Sequence, residues 1–119
     1  MSTLAVRCAA IMGATGVALG AFGAHGLKKK VVTEPDKLES WGSASRYQLI
    51  HAVALLALPA IGGGRGVRYV PALWTAGVTM FSGSIYCLVL NKERFRALGP
   101  VTPLGGLLMI AGWLALLAP

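Results

Sequence analysis

The chain has 119 residues, 55% of them hydrophobic and only 13% charged, with a formal net charge of +7 and a mean hydropathy of +0.68. A soluble domain carries about a quarter charged residues, so the composition excludes an ordinary soluble fold. The basic excess does not indicate nucleic acid: lysines and arginines sit at the ends of apolar segments, and no DNA- or RNA-binding motif is present. At about 20 residues per crossing, four passes with short loops use nearly the whole chain. That makes one membrane domain, 1–119, with little room for a separate catalytic domain.

The first apolar span covers about residues 4–24. Its run is longer than a signal-peptide core and Arg7 is its single early charge, so it is expected to stay as a retained first membrane helix. Ala9, Gly13, Gly16, Gly20 and Gly23 recur at steps of four, three, four and three, which traces one stripe down a helix. In a bilayer such stripes let backbones approach closely. The stripe is expected to pack inside the monomer, the alternative being a dimer or partner-subunit surface.

The span closes at 20–30, GAFGAHGLKKK, where an apolar run ends in a histidine, a glycine and three lysines. Lysine is costly in hydrocarbon and favourable among anionic headgroups, so Lys28, Lys29 and Lys30 read as a membrane exit in contact with lipid. The second span, about 47–61, is short, so its helix is expected to begin earlier: Thr33 and Asp36 flank Pro35 in a pattern resembling a helix start. From there Leu38, Trp41 and Leu49 alternate with Lys37, Glu39 and Arg46. The pattern predicts an amphipathic lead-in at the headgroup level, with Trp41 and Tyr47 as interfacial anchors, Arg46 reaching headgroups, and Gly42 as the bend into the membrane.

The second span, about 47–61, carries His51 and ends at Gly62-Gly63-Gly64. A short connector reaches the third span, about 71–90, where Pro71 suits a first helical turn. That span repeats small residues more weakly, at Ala72, Ala76, Thr79 and Gly83, and Thr75, Thr79, Ser82 and Ser84 are expected to bond neighbouring helices. A tight loop, 91–101, leads to the fourth span, about 103–117, with Thr102 as expected N-cap and Gly105 and Gly112 on one side.

Four spans place loops 26–46 and 91–101 on one side. These hold eight of the eleven basic residues; Arg7, Arg65 and Arg68 lie opposite. The bias predicts that both loops face cytoplasm or mitochondrial matrix and both termini the other side. Cys8 and Cys87 then fall near opposite faces, too far apart for a disulfide. They read as packing residues.

His25 and His51 are the only histidines. With the second span beginning near 47, they lie at similar depths on the same side and form the candidate functional pair, against the competing reading that each has a structural role such as capping helix carbonyls. No CxxCH motif supports haem, and two histidines are too few for a closed metal site. No cofactor or metal is expected. No Asp or Glu lies within a span, and no nucleophile elbow, phosphate loop or HExxH is present, so no catalytic residue is assigned and an enzyme is not expected.

The segments GAFGAHGLKK, QLIHAVALLAL, GVTMFSGSIY and GPVTPLGGLLMIAGWLAL occur in this order over nearly the whole chain. They resemble the transmembrane protein 256-like family, small membrane proteins of bacteria and mitochondria. The matching positions include Gly23, His25, Gly26, His51, Pro103, Gly105 and Gly106. The resemblance implies four membrane helices and brings no assigned activity.

The sequence therefore predicts an all-α integral membrane four-helix bundle with an amphipathic segment before its second span. The expected role is a structural or accessory subunit of a larger complex, such as a respiratory one, in the mitochondrial inner membrane, with a bacterial plasma membrane as the alternative. Expected partners are other membrane subunits and anionic, cardiolipin-like lipids. The rivals are a small solute transporter or channel and a haem- or quinone-binding electron carrier.

Overall fold

Each of the four long apolar stretches folds as a helix, because backbone N–H and C=O groups in hydrocarbon must be satisfied within their own segment. The computed structural model describes residues 3–27 and 34–119. Helix α1 is Thr3–Phe22 and runs into a π-helical turn, Gly23–Leu27. Helix α2 is Pro35–Ile61. A 3₁₀ turn, Arg65–Tyr69, leads into α3, Val70–Leu90. A second 3₁₀ turn, Arg96–Leu98, precedes α4, Val101–Ala115. Counting the turns continuous with them, the four stretches are 24, 27, 26 and 20 residues long, each sufficient to cross a bilayer.

Helix α2 starts where the pattern at Pro35 predicts, and the difference from expectation lies in its lead-in, which does not bend at Gly42. It is continuous with the second span as one helix of 27 residues, about 40 Å long, running unbroken through Gly42. Pro35 sits in its first turn, where a missing N–H is harmless. Glu34 flanks it without a capping side-chain bond; the expected cap, Thr33, lies outside the described residues. Gly62 and Gly63 end α2 with φ of 73° and 106°, a backbone region that favours glycine. Thr102 does not cap α4, which begins one residue earlier at Val101; its hydroxyl instead bonds Ser84 on α3.

In this order α2 packs between α1 and α3, and α4 packs on α3. One apolar cluster joins Ala9, Met12, Ala52, Leu55, Val70, Trp74 and Met109 toward the end that holds the termini. A second joins Leu27, Trp41, Ala44, Tyr86 and Val89 toward the other end. The C-terminus folds back on the α2–α3 connector, where the Arg65 N–H donates to the Pro119 carbonyl at 3.2 Å.

The glycines sit where helices touch. A Cβ on Gly16 would stand 2.8 Å from Leu49 Cδ2, one on Gly20 would meet Ser45, and one on Gly23 would run into the Trp41 indole. Gly13 faces Ala52. Gly105 lies against the backbone of Gly77 and Phe81, and Gly112 against the Trp74 ring. Both stripes, Gly13 to Gly23 on α1 and Gly105 to Gly112 on α4, are thus turned into the molecule.

The helices differ in the large residues they expose. Helix α1 exposes Leu4, Ile11 and Val17; α2 exposes Ile50, Val53 and Leu56; α4 exposes Leu104, Leu107, Ile110 and Leu114. Helix α3 exposes Leu90 at its end and otherwise Ala72, Ala76 and Thr79, with half-exposed Gly83 above open space.

Candidate functional site

The buried polar side chains lie on α2 and α3, with one continuous row along α2. Trp41, Ser45, Gln48 and His51 recur at steps of four, three and three, one face of a helix, and all four are buried. That face is pressed between α1 and α3, where Ser45 Oγ donates back to the Gly42 carbonyl of its own helix at 3.1 Å and the other three groups reach partners across the bundle.

At the loop end the Trp41 Nε1–H donates to the Leu19 carbonyl of α1 at 2.7 Å. Its ring packs against Tyr86 at 4.7 Å and Phe22 at 5.7 Å between centroids. Trp41 is only 2% exposed, so it is not the interfacial anchor that the lead-in pattern predicts. The lost surface position has a simple cause: Gly23 leaves the space that the indole fills.

One turn on, Ser82 Oγ of α3 donates to the Ala44 carbonyl at 2.7 Å. Gln48 then ties three helices together. Its amide nitrogen donates to the Met12 carbonyl at 2.9 Å and to Thr15 Oγ1 at 2.7 Å, both on α1. Its Oε1 accepts from the Tyr86 hydroxyl of α3 at 2.8 Å.

His51 comes next. Its Nδ1 lies 2.7 Å from the Tyr47 carbonyl, and its Nε2 lies 3.0 Å from Trp113 Nε1. A carbonyl only accepts and an indole N–H only donates. The two partners therefore fix the neutral tautomer with the proton on Nδ1. The imidazole stands edge-to-face to Trp74 at 5.5 Å and to Trp113 at 5.7 Å, and the two indoles are 4.5 Å apart. Trp74 Nε1–H in turn donates to the Met109 carbonyl at 3.2 Å.

His25 is not part of this cluster. It is exposed in the π-helical turn after α1. That turn begins at Gly23, level with Trp41, and His51 lies ten residues farther along α2, about 15 Å. The candidate pair is not brought together: His25 is exposed at the exit turn, while both ring nitrogens of His51 are engaged farther along α2 by Tyr47 and Trp113. Arg46 is exposed and bonds Ser43 Oγ on its own helix at 3.0 Å. Lys28, Lys29 and Lys30 lie outside the described residues. Cys8 and Cys87 are free and half-buried.

Among the described residues no group of three His, Cys, Asp or Glu could hold a metal, and every buried side-chain nitrogen and oxygen has a hydrogen-bond partner. The seam joins helices and leaves no buried polar group unpaired for a ligand. Its key members, Gln48, Tyr86, Trp74 and Trp113, carry only a weak sequence signal, namely polar or N–H-bearing side chains inside apolar spans, with Gln48 one turn before His51.

Fold and interior together define a four-helix integral membrane protein with a hydrogen-bonded polar seam. Residues 19–106 match a family described as "Protein of unknown function (DUF423)". A UPF0382 membrane protein of Schizosaccharomyces pombe is 41% identical over 115 residues, covering 92% of this chain and 94% of that one. A UPF0382 membrane protein of Staphylococcus aureus is 43% identical over 103 residues, covering 85% and 81%. The UPF0382 membrane protein YwdK of Bacillus subtilis is 38% identical over 110 residues, covering 88% and 85%. The chain belongs to this DUF423/UPF0382 family of membrane proteins, which occurs in bacteria and in yeast. No solved structure matches it.

Proposed function

We propose that the chain is a non-catalytic accessory subunit that holds a helix of another protein within a larger inner-membrane complex. The observation that carries this reading is the outer face of α3. Between its ends α3 exposes no large hydrophobic residue and shows Ala72, Ala76, Thr79 and Gly83, spaced four, three and four, whereas the exposed alanines of α1, Ala10, Ala14 and Ala18, are interleaved with Ile11 and Val17. Beside that face runs an open groove of about 530 Å³, walled by Leu4, Ala5 and Cys8 of α1. Lipid tails are as apolar as leucine, so helices associate in membranes through close packing, and small residues permit it. The stripes on α1 and α4 are already occupied within the chain; this one is open.

The seam supports the same reading over a transport path, since its groups bond one another. The mitochondrial inner membrane rests on the resemblance to the transmembrane protein 256-like family, and the placement of loops 26–46 and 91–101 toward the matrix or cytoplasm rests on the basic-residue bias. Anionic lipid at those loops is part of the same proposal.

Native gel migration after mild detergent extraction tests it. The wild-type chain is expected in a species well above its own 12.3 kDa. Ala72→Leu/Ala76→Leu is expected to release it as a small species while leaving thermal unfolding of the purified chain unchanged. A lone small species for the wild type in several mild detergents would overturn the reading.

A further inference from the structure

We infer that the chain holds an anionic phospholipid in a groove between the start of α2, the end of α3 and the α3–α4 loop. The inference deepens the lipid part of the reading above and does not depend on the accessory-subunit part. The groove measures about 470 Å³. Its mouth carries Lys37, Lys92 and Arg96, with Asp36 as the one acid, and its floor is formed by Ile85 and Leu88.

The charges do not cancel. Lys37 is committed to Glu34 at 3.4 Å. Lys92 and Arg96 have no ion pair among the described residues and both are exposed. Glu39 faces an adjoining dent on α2 rather than this groove. In the loop, Arg94 lies over the Phe95 ring and Glu93 is exposed. Two free cations against Asp36 leave one net positive charge, which matches a phosphodiester.

Depth decides what carries that phosphodiester. Helix α3, Val70–Leu90, is 21 residues, about 31 Å and the thickness of the hydrocarbon core. Its end at Leu90 therefore marks the headgroup boundary, with Lys92 and Arg96 just beyond and Leu88 and Ile85 below. From Lys92 down to Ile85 is seven residues, about 10 Å. Cations above an apolar floor, in the order of a lipid leaflet, fit a phosphate with acyl chains attached. A free phosphate would leave the floor empty.

Native mass spectrometry of the full chain in micelles containing equal amounts of a phosphatidylglycerol and a phosphatidylcholine tests the site. The wild type is expected to retain the phosphatidylglycerol preferentially. Lys92→Gln/Arg96→Gln is expected to lower that preference about fivefold per cation, about 25-fold together. The charge-preserving Lys92→Arg/Arg96→Lys and the opposite-end Arg65→Gln/Arg68→Gln are expected to stay within about twofold of wild type. Leu88→Trp, which fills the floor and keeps every charge, is expected to reduce retention, and millimolar inorganic phosphate is expected not to displace the lipid.

An unchanged preference in Lys92→Gln/Arg96→Gln, an equal loss in Arg65→Gln/Arg68→Gln, or displacement by inorganic phosphate would each overturn the inference. The native gel separates the two proposals. Groove variants that lose lipid should keep the large species, and Ala72→Leu/Ala76→Leu should keep its lipid.

Discussion

At the level of single residues, His51 shows how little a residue type says about its role. An ionisable side chain inside a span is a functional hypothesis by default. Here both ring nitrogens are engaged, one with Tyr47 and one with Trp113, so the imidazole acts as a link between α2 and α4. Removing either end should cost part of the same bond. A double-mutant cycle of His51→Leu and Trp113→Phe, read by denaturant unfolding in micelles, is expected to show a coupling of about 0.5–1.5 kcal/mol. The cycle of His25→Leu with His51→Leu is expected to be additive within about 0.5 kcal/mol, since the two share no partner. Coupling in the second cycle and none in the first would reverse the assignment. Gln48 was as visible in the sequence as His51, in QLIHAVALLAL, but amides are common helix-surface residues. Its partners at Met12, Thr15 and Tyr86 lie 33 to 38 residues away, beyond any local pattern.

At the level of the helix, the glycines divide into those that set a distance and those that do not. A Cβ on Gly105 would enter the backbone of α3 at Phe81 N and Gly77 O. Backbone cannot rotate aside as a side chain can. Gly105→Ala is therefore expected to destabilise the chain by about 2 kcal/mol through overpacking. A Cβ on Gly83 would meet nothing within 4 Å. In the isolated chain Gly83→Ala should gain the ordinary helix preference, up to about 1 kcal/mol. Thermal unfolding of both variants in one detergent checks the pair, and a stabilising Gly105→Ala would show that α3 and α4 are not in backbone contact. Sequence spacing alone puts all these glycines in regular stripes. It does not tell a stripe turned toward a neighbouring helix from one turned toward lipid, because both surroundings are apolar.

At the level of the whole molecule, the alternating helices put residues 65–69 and 91–100 at opposite ends of α3. In a cysteine-free background, Arg68→Cys and Arg94→Cys in sealed vesicles are expected to react with a membrane-impermeant maleimide from opposite sides. Reaction of both from one side would refute the four-pass topology. The two ends also differ in character. One holds the termini, with Pro119 docked on Arg65; the other holds the Trp41–Tyr86 cluster and the cationic groove. A bilayer protein with such ends has a fixed polarity, which suits both a directional partner contact and a preference for the lipids of one leaflet.

The sequence by itself determined the all-α membrane class, the four crossings, their up-and-down order and the small-residue stripes. Those depend on segment length, apolar content and helical spacing, all local quantities. Only the tertiary structure decided that Trp41 is buried, that His51 pairs with Trp113, 62 residues away, and that the α3 stripe faces outward while those of α1 and α4 do not. The reason is the solvent. In water an apolar face must turn inward, so pattern predicts burial. In a bilayer both faces of a helix can be apolar, and burial is set by which shapes fit and which hydrogen bonds close.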